Sequence, residues 1–356
     1  MTDLGAWQPD VMPGFAHRPI GLATLVKSVG TVETGRLETG KSGSSDTSKS
    51  AEPDTGDPAA SFPKGVILHV HGYNDYFFQD HFAHAMEQAG YLFYAVDLRA
   101  AGRSLAASQI PHYVTDFHEP ASDLAAAAQT VREMHPDLPL IVHAHSTGGL
   151  TAVLWAHAYR HETGVKAPPD GIVLNAPFFE VPGTIFKRAG AWAAAPVGRL
   201  RPTTALASGP SLYATAMLAE NGGRWSFDPA LKKPDGQPIR LGWLRAVRAA
   251  QSRVDQGLDV QGQVLLAAST ASSHNAPVLL DSTDTVLDVS AIVSRAEKIG
   301  NNVTVLQIPG AVHDLTLSDD IPRNMYFTKL VEWLNKCLKP PKGTSHSQPT
   351  APTPSP

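Results

Sequence analysis

The residues best able to do covalent chemistry stand in one stretch, residues 143–149, which reads His-Ala-His-Ser-Thr-Gly-Gly. An apolar segment, residues 138–142, precedes it and a helical pattern begins near Leu150, so Ser146 falls where a buried strand meets a helix. A serine hydroxyl becomes a nucleophile when a tight turn holds it beside a base and near backbone N–H groups. The pattern departs from the Gly-x-Ser-x-Gly elbow at Ala144 alone, where the side chain is still small. Ordinary loops also contain such patterns, so the role of Ser146 depends on partners elsewhere in the chain.

A second stretch, His71-Gly72-Tyr73, directly follows the β-rich segment 66–70. Glycine at position 72 allows the backbone to turn sharply. The N–H groups of Tyr73 and Thr147 are therefore expected to point into the same space and to form an oxyanion hole. Without Ser146 nearby, the His-Gly pair would indicate only the end of a strand.

Three aspartates compete for the role of the acid that orients a catalytic histidine. Asp281, Asp284 and Asp288 follow an apolar segment, residues 277–280, that is predicted to be a strand. A carboxylate at this edge of the sheet would hold the histidine in one tautomer and stabilise its imidazolium form. Asp284 fits a loop tip best, whereas Asp288 fits a helix N-cap and Asp281 a strand end.

The predicted base is His313, in the stretch Pro-Gly-Ala-Val-His after the last predicted strand. Most of the 15 histidines must be surface or core residues. His313 stands out because the chain order Ser146, Asp284, His313 is the order Ser, acid, His of the serine elbow enzymes. Order, spacing and strand context together are more specific than any one motif.

The elements that must position these residues alternate along the chain. Compact apolar segments, separated by helix-length segments, are typical of a parallel sheet covered on both faces. The chain is therefore predicted to be an α/β protein. The predicted strands lie at residues 22–26, 66–70, 91–96, 138–142, 171–175, 277–280 and 302–308.

One interval, residues 178–262, contains no strand of the same quality. It is predicted to be a helical cap or lid, because an insertion at the carboxyl ends of the strands lies over the ligand site. A peripheral subdomain with its own small core is the alternative. Residues 1–177 and 263–339 then form the two parts of the core. Residues 39–61 lack large apolar side chains and are predicted to be a flexible insertion, and residues 340–356 a disordered tail.

Composition excludes several classes of function. The formal net charge of -4 and the lack of a basic run argue against a nucleic-acid partner. The single cysteine, Cys337, excludes an intramolecular disulfide and fits a reducing compartment, with a buried helix face as its expected place. With no secretory signal pattern and no apolar run that could span a bilayer, the cytoplasm is the expected location.

On these residues the chain resembles a branch of the α/β-hydrolase superfamily that includes monoacylglycerol lipases, lysophospholipases and serine aminopeptidase-like hydrolases. The resemblance covers roughly residues 20–338, without the serine-rich insertion. Two positions depart from the family pattern, Ala144 and Ala100, each where glycine is common. Asp97 and Arg99 are expected to be architectural. The matching stretches are His71–Tyr73, Asp97–Ser104, Ala144–Gly148, Asn175–Phe179, Asp284–Asp288 and Pro309–His313.

The resemblance implies an α/β-hydrolase fold with a helical cap inserted after the sixth strand. It also implies a covalent acyl-enzyme mechanism without a cofactor or a metal. Ser146 would be the nucleophile, His313 the base and then the acid, and Asp284 the residue that orients it. Tyr73 and Thr147 would supply the oxyanion N–H groups.

The expected substrate is a small-molecule carboxylic ester with an apolar acyl chain, and the cap is expected to contact lipid transiently. An amide or peptide hydrolase on the same residues is the first alternative, for which Glu180, Glu220 and Asp228 are candidates to hold a substrate amine. The second alternative is a non-catalytic binding protein on the same scaffold, because a fold does not dictate function.

Overall fold

The computed structural model describes most of the predicted core and part of the predicted cap. The predicted flexible insertion, residues 39–61, and the predicted tail, residues 340–356, lie outside the described part. The described residues are 5–29, 62–161, 168–183, 198–206, 212–273 and 279–338.

Nine strands in the described part of the chain form one sheet. The strands are β1 (Gln8–Pro9), β2 (Phe15–Ile20), β3 (Ala23–Ser28), β4 (Gly65–Val70), β5 (Tyr91–Asp97), β6 (Leu140–His145), β7 (Gly171–Asn175), β8 (Gln263–Ser269) and β9 (Val303–Ile308). Their order in the sheet is β1-β2-β3-β5-β4-β6-β7-β8-β9. The pairs β1 with β2, β2 with β3 and β3 with β5 are antiparallel, and the strands from β5 through β4 to β9 run parallel.

Helices cover the sheet, as the sequence pattern predicts. Every residue of β4, β6 and β7 is buried, which requires cover on both faces of these central strands. The described α-helices are α1 (Asp80–Gln88), α2 (His118–Met134), α3 (Thr147–His161), α4 (Leu212–Met217), α5 (Leu241–Asp255), α6 (Val289–Val293) and α7 (Asp320–Cys337).

One predicted strand is wrong. The sheet position expected for residues 277–280 is taken by β8, whose apolar residues 264–268 are buried between β7 and β9. Residues 277–278 lie outside the described residues, and Leu279 and Leu280 lie in a turn, where Leu279 is 40% exposed. Both segments are short apolar runs, and such runs cannot be assigned to a sheet from periodicity alone.

The interval predicted as a cap follows β7 in the order of the described strands. Its described residues pack on the carboxyl end of the sheet through a second hydrophobic cluster. The boundaries between this interval and the core, at residues 177 and 262, stay a prediction. The cluster joins Tyr76, Phe78, Val312 and Leu317 of the core to Tyr213, Met217, Leu218 and Phe227 of the interval.

The loop after β5 is tied down by ion pairs, as expected for an architectural segment. Arg99 donates two hydrogen bonds to the Asp123 carboxylate, each of 2.8 Å. Arg103 donates to the buried carboxylate of Asp97 at 2.8 Å. Between them, Ala100 adopts a positive φ of 55°, a backbone conformation that favours glycine.

Parallel strands bring distant loops to the same edge of the sheet. Gly72 follows β4, Ser146 follows β6, Asp284 follows β8 and His313 follows β9. All four strands are parallel, so their carboxyl ends lie on one side. The topology therefore gathers residues that are up to 241 positions apart in the sequence, from Gly72 to His313.

Candidate active site

Ser146 lies on the sharp turn between β6 and α3 and has a positive φ of 53°. L-residues adopt this conformation only when the surrounding backbone enforces it. Here the Ser146 N–H donates to the Asn175 carbonyl at 3.0 Å, and the Ser146 carbonyl accepts from the N–H groups of Gly149 and Phe178, each at 3.0 Å. The turn therefore presents the hydroxyl at the carboxyl edge of the sheet.

Small residues make this turn possible. A Cβ added to Gly148 would lie 2.4 Å from the His71 carbonyl oxygen, and one added to Gly72 would lie 3.0 Å from the Ser146 Cβ. Ala144 is fully buried inside β6, in register with Val70 of β4 and Leu174 of β7. The alanine in the first position of the elbow is thus a packing variant.

The three predicted catalytic residues come together in one line of hydrogen bonds. The His313 Nε2 lies 3.1 Å from the Ser146 Oγ, and the His313 Nδ1 lies 3.0 Å from the Asp284 Oδ2. This geometry suits the tautomer in which Nδ1 donates to Asp284 and Nε2 accepts from the hydroxyl. All three side chains are buried, and Asp284 is fully so.

The structure separates the three competing aspartates. Asp284 is fixed because its Oδ1 accepts from the N–H groups of Val286 at 2.9 Å and Leu287 at 2.8 Å, which leaves Oδ2 for the histidine. Asp288 is instead the N-cap of α6, as the sequence suggested, and accepts from the Ser290 N–H at 3.0 Å. Asp281 is exposed in a turn and does not end a strand.

Tyr73 and Thr147 border the same small cavity, of about 40 Å³. Among the described residues, neither backbone N–H donates to a protein acceptor, so both remain able to bind an oxyanion. The Tyr73 ring packs on Trp243 of α5 with 4.4 Å between ring centroids, and burial raises the pKa of its phenol to about 12.

Sequence reasoning missed Asp314, which immobilises the loop of His313. Its Oδ1 accepts from the Asn175 Nδ2 at 2.7 Å and from the Thr316 Oγ1 at 2.7 Å, and its N–H donates to the Tyr213 hydroxyl at 3.1 Å. Burial alone would raise the pKa of Asp314, but nearby His145 and these hydrogen bonds hold it below its ordinary value. The Asp-x-Thr pattern directly after His313 could have indicated this role in the sequence, because it is typical of an Asx-turn.

A buried cluster next to His313 consists of Asp75, His145 and Asp314. One potential ligand atom from each lies within 4.8 Å of the others, a set of donors that would suit a metal ion. The ammonium group of Lys232, however, lies 2.8 Å from the Asp75 Oδ1 and supplies a positive charge there. Among the described residues, this lysine therefore fits the cluster better than a metal ion does.

Residues 61–320 match the model of a protein family described as serine aminopeptidase, S33. A monoacylglycerol lipase of Mycolicibacterium smegmatis (strain ATCC 700084 / mc(2)155) is 33% identical over 116 residues, which cover 32% of this chain and 38% of that protein. The match thus spans well under half the length of that relative.

Two solved structures are similar over most of their length. A soluble variant of monoglyceride lipase from Saccharomyces cerevisiae, in complex with a substrate analogue, has a TM-score of 0.60 at 18% identity and covers 78% of this chain and 88% of its own. A monoacylglycerol lipase from Paleococcus ferrophilus has a TM-score of 0.55 at 18% identity, covering 77% of this chain and 96% of its own. At this identity the likeness concerns the fold. None of the helices in the described part of this chain is long and apolar enough to cross a membrane.

Proposed function

Because the chain belongs to the serine aminopeptidase S33 family and has the α/β-hydrolase fold, we propose that it is a serine hydrolase that cleaves carboxylic esters through an acyl-enzyme. The observation that carries this proposal is the line of hydrogen bonds from Ser146 through His313 to Asp284. A nucleophile, a base and an orienting carboxylate in this arrangement act as one unit.

In the first half of the proposed reaction, the Ser146 Oγ attacks the ester carbonyl carbon while the His313 Nε2 accepts the hydroxyl proton. The carbonyl oxygen becomes an oxyanion that accepts hydrogen bonds from the N–H groups of Tyr73 and Thr147. The tetrahedral intermediate collapses, the bond to the alcohol oxygen breaks, and His313 donates its proton to the leaving alcohol. Asp284 stabilises the imidazolium form throughout.

In the second half, a water molecule takes the place of the alcohol. His313 accepts a proton from this water as the water oxygen attacks the acyl carbon, and the same N–H groups stabilise the second oxyanion. Collapse returns the proton to the Ser146 Oγ and releases the carboxylic acid. The chain's own residues supply every proton transfer that ester hydrolysis requires.

Amide and peptide substrates are the less favoured class, because two of the three carboxylates suggested for binding a substrate amine have other partners. Glu180 accepts from Arg295 at 2.9 Å, and Asp228 accepts from the Ala230 N–H at 2.8 Å. Glu220 is exposed to solvent. The relatives' names, which include monoacylglycerol lipases, support an ester with an apolar acyl chain as the substrate class.

Contact of the cap with lipid and location in the cytoplasm remain predictions from the sequence. Sedimentation of the protein with phosphatidylcholine vesicles tests the first, and fractionation of the source cells tests the second. Failure to co-sediment at millimolar lipid would contradict the lipid contact.

The proposed function predicts that Ser146→Ala lowers ester turnover on the order of a millionfold, because a missing member disables the whole unit. Turnover is measured on short and medium acyl esters beside aminoacyl anilides. Ser290→Ala, which changes an exposed serine on α6, is the matched control and should retain full activity.

A fluorophosphonate probe should label the wild-type protein at Ser146. A folded wild-type protein that is not labelled would favour the binding-protein alternative, and faster turnover of anilides than of esters would favour the amide hydrolase.

A further inference from the structure

Four consecutive residues after β4 each bind one segment of the interval predicted as a cap. We call residues 72–76 the oxyanion loop and residues 228–238 the cap segment. The outer two links are a hydrogen bond of 3.1 Å from the Tyr73 hydroxyl to the Pro238 carbonyl and one of 2.9 Å from the Asp228 N–H to the Tyr76 hydroxyl. The inner two links involve Asn74 and Asp75.

Asn74 forms the first inner link and has strained backbone geometry, with a positive φ of 54°. Its side-chain amide donates to the Lys233 carbonyl at 2.9 Å, and its side-chain oxygen accepts from the Lys233 N–H at 3.0 Å. These two hydrogen bonds to the backbone of one residue fix both the position and the plane of the Asn74 side-chain amide. The Tyr73 N–H belongs to the peptide that joins Gly72 to Tyr73, so the contact at Asn74 acts on its direction through the φ and ψ angles of the intervening Tyr73.

Lys232 forms the second inner link, through a buried ion pair. Its ammonium group lies 2.8 Å from the Asp75 Oδ1 and is enclosed by the rings of Phe78 at 4.9 Å and Phe227 at 5.4 Å. The lysine is only 5% exposed and the aspartate 2%. Burying a flexible, strongly hydrated ammonium costs free energy, which the carboxylate and the aromatic faces offset.

We propose that Asn74, Asp75 and Lys232 are positioning residues, through which the cap segment holds the Tyr73 N–H in the direction of the oxyanion. This inference rests on the proposed function. An oxyanion forms only in the transition state and the intermediate, so a misdirected N–H lowers kcat and leaves substrate binding nearly unchanged. A purely structural link would instead lower stability and leave the kcat of the folded protein unchanged.

Lys232→Met tests the ion pair while keeping a side chain of similar length. We expect kcat for a short acyl ester to fall on the order of 10- to 100-fold, with KM within about threefold, because removal of a whole oxyanion donor costs still more. The rate at which a fluorophosphonate labels Ser146 should fall by a similar factor, since that reaction also develops a negative oxygen. Circular dichroism and thermal unfolding report the fraction of folded protein.

Arg295→Met is the matched control. Arg295 also forms a partly buried ion pair with the predicted cap interval, 2.9 Å from the Glu180 Oε2, but does not contact the oxyanion loop. The two substitutions are the same in kind and remove one cation each. Arg295→Met should lower the unfolding temperature while keeping kcat and the labelling rate within about twofold of the wild-type values.

Asn74→Gly tests the first inner link and leaves no carboxylate unpaired. Glycine adopts the positive φ of position 74 without strain, so the variant removes the two hydrogen bonds to Lys233 but permits the same backbone. We expect the same pattern, a fall in kcat with little change in KM. This variant decides the outcome if Lys232→Met does not fold.

Two outcomes would overturn the inference alone. One is that the wild-type protein turns over esters and is labelled at Ser146, while kcat is unchanged in the folded Lys232→Met and Asn74→Gly variants. The other is a rise in KM at constant kcat, which would mean that the cap segment contributes uniform substrate binding. Wild-type protein with neither turnover nor labelling at Ser146 would instead contradict the proposed function.

Discussion

At the scale of single residues, Asp284 shows that neighbours determine the role of a carboxylate. Three aspartates within eight positions have the same chemistry, yet they differ in burial and in hydrogen-bond partners. Two backbone N–H groups hold Oδ1 of Asp284, so Oδ2 faces His313. The side chain of Asp288 instead accepts a hydrogen bond from the first turn of α6.

We therefore predict that Asp284→Asn lowers kcat about ten-thousandfold, because an amide favours the wrong tautomer of His313. Asp288→Asn, the control, should keep kcat within about twofold, since asparagine is also a good N-cap. Steady-state kinetics on a short acyl ester provides the measurement. Comparable losses in the two variants, or a larger loss in Asp288→Asn, would mean that the acid has been assigned to the wrong residue.

At the scale of elements, the junction of β6 and α3 depends on close approach between backbones. The amino end of α3 lies against the loop after β4, and the glycine at position 148 lets the two backbones meet. This contact brings Thr147 and Tyr73 to the same cavity. The elbow and the oxyanion loop are consequently one packed unit.

Gly148→Ala is expected to separate these two backbones, because the new Cβ would lie 2.4 Å from the His71 carbonyl oxygen. The predicted result is a loss of kcat of at least a hundredfold, together with a loss of stability of about 1–3 kcal/mol from overpacking. Ala144→Gly restores the usual elbow glycine and should retain most activity, at a cost of about 1 kcal/mol for a glycine inside a strand. Kinetics and urea unfolding measure both effects. Full activity in Gly148→Ala would show that the loop after β4 yields to the new methyl group.

At the scale of the whole molecule, the fold buries several histidines in addition to His313. The His69 Nδ1 lies 2.9 Å from the His143 Nδ1, and the His143 Nε2 lies 2.8 Å from the Tyr326 hydroxyl. Burial lowers the pKa of His69 to about 4 and that of His143 well below its ordinary value of 6.5. Both side chains are therefore neutral in the folded protein at pH 7.

Stability is consequently predicted to decrease as the pH falls from about 6.5 to about 4. In this range the unfolded chain binds protons at His69 and His143 that the folded protein does not, so protonation favours unfolding. For His69 alone, a pKa of about 4 against 6.5 corresponds to about 3 kcal/mol. Urea unfolding at pH 7, 5.5 and 4.5 measures this loss. His118→Gln, at an exposed histidine, should leave the pH dependence unchanged, and a flat profile in the wild-type protein would contradict the burial of neutral histidines.

The sequence by itself determined the family, the α/β-hydrolase fold and most strands, because these follow from local patterns: apolar runs, turn residues and the order of a few reactive side chains. It also indicated that Ser146 and His313 belong to one site, a role that the geometry of the structure supports and that kinetics has to test. Only the tertiary structure placed β8 at residues 263–269, set Asp284 apart from its neighbours, and joined Lys232 to Asp75 across 157 positions. These features depend on contacts between segments far apart in the chain. No local pattern specifies which of several similar segments or charges will meet such a partner, because packing and burial in the folded chain make that choice.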